Sequence, residues 1–368
     1  MFTPSRLTLA RKRRGKTLVD VAARIGVTAQ SLSNIERGVQ EPSLATLRAL
    51  SSELRFPLSF FSRSDIELLD SSQVSFRART RMTAKAREAS LSSGVIAEEF
   101  YEWLESRYKT PDVQLPVIDP PADPEASAEH VRGAWSLGDT APIVNMIHLL
   151  EAHGVAVFSL PPEYAEVDAF SFWRGSRPFV MLNTLKTAER SRFDAAHELG
   201  HLVMHGANGC GAGGRSLEKE ANEFASAFLI PKAGLKQSTP KNLTTDRIIS
   251  YKKKWKVSAM AMAYRLHQTG YLTDWIHRRM IVELGRLGFG KSEPEGISRE
   301  SSLLLSKISE SLRSRGSGII HAARDLNIHP SDLNEIIFGI GVVSSNESEV
   351  SKSSSTGDDR KLRLIHSK

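Results

Sequence analysis

At 368 residues, with 40% hydrophobic and 25% charged side chains, the chain is long for one core and reads as two or three soluble domains. It has no apolar run of the roughly 18 residues a membrane span needs, no apolar stretch behind its basic first 15 residues to serve as a secretory leader, and one cysteine, Cys210, which excludes an internal disulfide framework. The formal charge is +7, and residues 1–62 hold ten Lys/Arg against four acids (10 − 4 = +6), a local excess that attracts phosphate backbones.

Taken in order, residues 4–62 read as short helices with tight turns. Pro4 suits a first helical position and Gly15 ends the first helix. Leu18, Val21, Ala22 and Ile25 recur at helical spacing until Gly26. Thr28 can cap a helix that turns Leu32 and Ile35 inward, and Gly38 ends it. Residues 63–115 read as a charged helical connector. Five prolines between 109 and 127 mark an extended entry segment. A helix is expected near Ile143–His153, then strands at Val155–Ser159, Ala169–Trp173 and Phe179–Leu182. Helices over Ala188–His205 and Leu217–Ile230 follow, parted by the glycine-rich Gly206–Gly214. Residues 244–343 read as a further helical domain, and 344–368 as a disordered Ser-rich tail. No internal repeat is apparent. The expected fold is mainly α with a small β-sheet.

The segment His197-Glu198-Leu199-Gly200-His201 carries the chemistry. On a helix, His197 and His201 lie one turn apart on one face and can grip one cation. Glu198 sits beside them, where a carboxylate can take a proton from water on the metal. A third ligand is needed, and Glu218 and Glu220 are the candidates. Glu218 is favoured because Asn222, one turn on, shares its face and can orient a ligating histidine. At i+8 from His197, His205 falls about 12 Å along the axis, so it is expected beside the site and not in it. Cys210 reads as a loop cysteine, with a redox-sensitive metal contact as the alternative.

The segment from Arg190 to Pro231, with Glu-x-x-Ala-Asn-x-Phe-Ala and Leu229-Ile230-Pro231 after the His-Glu-x-x-His helix, resembles the ImmA/IrrE metallo-endopeptidase family. That resemblance implies a zincin-like domain over 116–243, Zn2+ on His197, His201 and Glu218, and Glu198 as catalytic acid and base. Residues 17–38 are similar to the XRE-type helix-turn-helix, in an N-terminal domain (1–62) expected to have five helices. Its reading helix runs from Thr28 to Gly38, with Gln30, Ser31, Ser33 and Asn34 facing base edges. Arg37, Lys16 and the run Arg11–Arg14, Arg13 included, suit phosphates.

One such domain reads a half-site, so a homodimer on double-stranded operator DNA is expected. Trp275, Ile276 and Met280 are candidates for its interface, with burial as the alternative. The function expected is a cytoplasmic transcriptional regulator with a zinc peptidase domain that cleaves a partner repressor or antitoxin. The alternative is a transcription factor or antitoxin whose peptidase-like domain senses or binds without cutting.

Overall fold

The computed structural model describes residues 1–340 except 72–73, 79–81, 119–122, 165, 207–214, 291 and 317. Cys210, the glycine-rich stretch after Gly206 and the Ser-rich tail lie outside the described residues. None of the described helices is long and apolar enough to cross a membrane.

Four helices open the chain: α1 (Pro4–Arg13), α2 (Leu18–Ile25), α3 (Ala29–Glu36) and α4 (Leu44–Leu54). Each of the last three begins on a hydroxyl cap, with Thr17, Thr28 and Ser43 accepting from the backbone N–H three residues on. The expected fifth helix is only a 3-10 turn over Leu58–Ser62, because Pro57 removes a donor and Phe60 and Phe61 are pulled into the core. Next come β1 (Val74–Ala78), the long α5 (Ala84–Glu105), α6 (Pro124–Ala134), α7 (Met146–Ala152) and β2 (Ala156–Ser159). Strands β3 (Val167–Arg174) and β4 (Arg177–Leu182) follow, then α8 (Ala188–Gly200) and α9 (Arg215–Leu229). The remaining described elements are helices: α10 (Lys232–Ser238), α11 (Thr245–Trp255), α12 (Ala259–Gln268), α13 (Asp274–Arg286), α14 (Leu303–Ser314), α15 (Ile319–Asp325) and α16 (Pro330–Ile336).

The strands form one sheet in the order β1-β3-β4-β2, with β3 antiparallel to β1 and β4, and β2 parallel to β4. Both faces are covered, and strand alternation sorts the side chains between two cores. On one face Phe158, Phe170, Phe172, Phe179 and Met181 pack with α1–α4, α5 and α14–α16. On the other, Val157, Ala169, Val180 and Leu182 pack with α6–α9 and α11–α13. The stretch expected as a connector therefore holds an edge strand and α5, whose Val95, Ala97, Phe100 and Leu104 are fully buried. Charge ties α1 to it: buried Arg6 forks onto Glu99 at 2.7 and 2.8 Å, and Arg63 reaches the same carboxylate at 3.0 Å. Of the residues considered for a dimer interface, Trp275 is 69% exposed and Met280 is buried.

Candidate metal centre and nucleic-acid interface

Helix α8 starts on a Thr187 cap and is pinned to the sheet by Lys186, which bridges Asp194 on the helix (2.6 Å) and Asp168 on β3 (2.7 Å). Its Ala195, Ala196 and Leu199 are buried against the sheet and α9. Past Gly200 the helix widens into a π-helical turn over His201–His205. Gly200 faces Phe224 on α9 so closely that a Cβ there would meet the ring at 3.0 Å. This contact lets α9 lie against α8 and brings a carboxylate across to the histidines.

That carboxylate belongs to Glu218. The His197 and His201 Nε2 atoms are 3.0 Å apart, and Glu218 oxygens lie 3.4 and 3.3 Å from them. Among the described residues, these three alone could together hold a metal ion. Three donors around a tetrahedral ion with bonds of about 2.0–2.1 Å sit about 3.3 Å from one another, so the observed spacings fit a divalent cation. Burial raises the Glu218 pKa, but hydrogen bonding to His197 and His201 outweighs it and leaves the carboxyl well below its ordinary range. Both histidines are buried, whereas Glu218 remains about a third exposed and forms the open side.

The other ring nitrogens are held by partners. Asn222 Oδ1 lies 3.2 Å from His197 Nδ1, and Asn222 Nδ2 donates to the Glu218 carbonyl at 2.8 Å. His205 Nδ1 is 2.9 Å from His201 Nδ1, and its Nε2 is 3.2 Å from Glu220, which also accepts from Ser216. Asn222 and His205 thus stand beside the histidine pair. Glu220 belongs to the His205 chain and not to the histidine pair. Such outer partners fix which nitrogen a histidine presents. Burial, then the neighbouring His201, push the His205 pKa down.

Glu198 is fully buried next to the pair, and the Ser171 hydroxyl donates to it at 2.6 Å. The motif does not point to Ser171. The signal available was the alternation of β3, which turns Ser171 to the same face as Ala169, toward α8. A cleft of about 920 Å3 opens beside Glu218 and Asn222, with Phe193, Met260, Tyr264 and Phe289 on its apolar walls.

In the N-terminal domain, Thr28 caps α3 and is exposed. Gln30 is exposed, Asn34 is half-buried, and they join through a 3.1 Å hydrogen bond. Exposed Arg37 also donates to Asn34, at 2.6 Å. Ser31 and Ser33 are half-buried, and Ser31 reaches Gln40 at 3.4 Å. Lys16 is tied to Glu53. Arg13 corrects the sequence reading. Its side chain is only 1% exposed, 2.6 Å from Glu335 and 3.6 Å from Asp332, and it lies over the Tyr164 ring. It cannot meet a phosphate, because acids from the far end of the chain fill its place. Arg11 and Arg14 are likewise paired, with Glu36 and Asp332. Much of the +6 excess is spent inside the fold, while Arg24 and Arg37 stay exposed.

Residues 150–267 match the family model described as the IrrE N-terminal-like domain, a peptidase family, and residues 7–61 match a helix-turn-helix model. Comparison with curated proteins returns no match. The two matched segments enclose the metal-ligand geometry and the capped α2–α3 pair respectively. The chain is thus a fusion of an XRE-type helix-turn-helix domain, which binds DNA, with a metallopeptidase domain of the ImmA/IrrE family.

Proposed function

We propose that the chain is an operator-binding transcriptional regulator whose peptidase domain is a zinc-dependent endopeptidase acting on a partner repressor or antitoxin. The observation that carries the enzymatic half is the convergence of His197, His201 and Glu218 to spacings of 3.0–3.4 Å at the edge of a peptide-sized cleft. Zn2+ bound there would acidify a water molecule and polarise a peptide carbonyl. Asn222 and His205 hold the two imidazoles so that both Nε2 atoms face the shared point. Glu198 accepts the proton of the attacking water and returns it to the leaving amine, with Ser171 fixing its carboxylate. The apolar walls of the cleft suit a hydrophobic side chain of the substrate.

On the DNA side, Gln30 and Asn34 read base edges and Arg37 lies at the rim. One reading helix per chain serves one half-site, so a homodimer is expected on the operator. A regulator of this kind works where the DNA is, in the cytoplasm. The decisive experiment compares wild type with Glu198→Gln on a regulator encoded beside this chain. Loss of cleavage with retention of zinc supports the reading. Equal cleavage by both proteins overturns the assigned role of Glu198, and cleavage by neither removes the protease.

A further inference from the structure

Among the described residues, the last three helices repeat the first three. Left-handed residues end α1, α2 and α3 at or just past their last turns: Gly15 (φ 57°), Gly26 (φ 73°) and Gly38 (φ 70°). In the C-terminal unit the left-handed residues are Gly316 (φ 71°), Asn327 (φ 54°) and Gly339 (φ 69°). Each pair is 301 positions apart (316 − 15, 327 − 26, 339 − 38). The same offset sets α15 on α2 and α16 on α3, and pairs the caps Thr28 and His329. It also matches the cores: Leu7 with Ile308, Val21 with Ala322, Ala22 with Ala323, Leu32 with Leu333 and Ile35 with Ile336, all buried.

One exchange is especially telling. Arg11 and Glu36 form an ion pair in the first unit, and their counterparts, Leu312 and Ile337, are both apolar and buried. A charged contact has been replaced by an oily one at the same place in the fold. Few identities survive, which is why no repeat is visible in the sequence, and Phe338 departs by adding a second left-handed residue. The turn between α11 and α12 shares a left-handed Lys256 and a capping Ser258, but at its own offset of 230 (256 − 26) Gly15 falls on Thr245, inside α11. Only the turn is common there.

We infer that residues 303–340 are a second helix-turn-helix unit whose reading helix binds the first unit in place of DNA. The positions equivalent to Ser31 and Asn34 are Asp332 and Glu335. Asp332 takes Arg14 through both oxygens, with Arg14 Nη2 at 2.8 Å, and Glu335 takes Arg13 at 2.6 Å. The other side of α16 is fastened to the sheet, where Ser159 Oγ donates to the Glu335 carbonyl and accepts from Phe338 N. An acidic reading face repels phosphate and suits guanidinium, and here two guanidinium groups occupy it.

The test uses the full chain and a labelled 30-bp mixed-sequence duplex at low salt, followed by fluorescence anisotropy. Gln30 and Ser331 are equivalent and both exposed, so a carboxylate at either leaves the core intact. Gln30→Glu is expected to weaken binding by about fivefold or more, and Ser331→Glu by less than about twofold, since binding to such a duplex is electrostatic. A double-mutant cycle with Arg14→Gln and Asp332→Asn reads the internal contact through the thermal midpoint. The double variant should melt no lower than the weaker single one. A loss with Ser331→Glu equal to that with Gln30→Glu, or additive melting shifts, overturns the inference. The inference rests on α3 as the DNA-reading helix. If the wild type does not bind the duplex, that reading fails and the cycle alone decides this one.

Discussion

Gly200→Ala tests whether the close approach of α8 and α9 builds the metal site. The new methyl would lie 3.0, 3.2 and 3.3 Å from Phe224 Cδ1, Cγ and Cβ, about half an ångström inside ordinary contact. Phe224 cannot swing aside, being fully buried and stacked on Phe228 at 5.5 Å. Overpacking of this kind costs about 1–3 kcal/mol, while Ala in place of Gly returns up to about 1 kcal/mol to the helix. The net loss is about 1 kcal/mol, or a Tm lower by about 2–4 °C. The larger effect falls on Glu218, which rides on the displaced α9. Ligand distances tolerate only about 0.2 Å, so zinc affinity should drop by about tenfold or more. Circular dichroism melts of the metal-free protein and competition with a chromophoric chelator read the two effects separately. Unchanged zinc affinity together with an unchanged or raised Tm would refute the argument.

Ser171→Ala should lower peptidase activity by about tenfold at unchanged zinc content, because the Glu198 carboxylate loses the donor that fixes it. Equal loss of zinc would show instead that Ser171 supports the fold of the site. Arg13→Ala should cost about 1–3 kcal/mol of stability, since it removes the 2.6 Å partner of Glu335 and leaves a gap over Tyr164 while Asp332 keeps Arg14, and the salt dependence of DNA binding by the folded fraction stays the same. A reduced salt slope would restore the phosphate role that its sequence position suggests. The Glu151 carboxyl is pushed up to about 7 by burial, which outweighs its hydrogen bonds from Ser302, Leu304 and Leu303. A carboxyl raised in the fold favours the protonated form, so this part of the stability is complete below the ordinary value of 4.5 and is lost as pH rises through about 7. Melts from pH 5 to 8 should fall with a slope that Glu151→Gln flattens, and a parallel slope in both proteins would contradict the assignment.

The metal motif was legible because its information is local. Helical spacing puts His197 and His201 on one face, and the Glu218–Asn222 spacing then picks one carboxylate from two. Motif spacing cannot report which groups meet across the fold. Within the basic run Arg11–Arg14, the fate of Arg13 and Arg14 was decided by acids more than 300 positions away, Glu335 and Asp332, so a local charge count pointed outward where the fold points inward. Helix α5 read as a connector because its small residues Ala89, Ser90, Ser93 and Gly94 are not apolar bulk, yet they let it lie close to the sheet. Ser171 was hidden for a related reason, since one hydroxyl in a strand has meaning only once the opposing helix is known.

The central claim is that two imidazoles and the Glu218 carboxylate hold one divalent ion. Zinc content together with the X-ray absorption spectrum of the purified chain addresses it directly. The account predicts about one zinc per chain with a first shell of nitrogen and oxygen only, lost when Glu218 is replaced by Ala. Sulfur in that shell, or a full complement of zinc in Glu218→Ala, would contradict it.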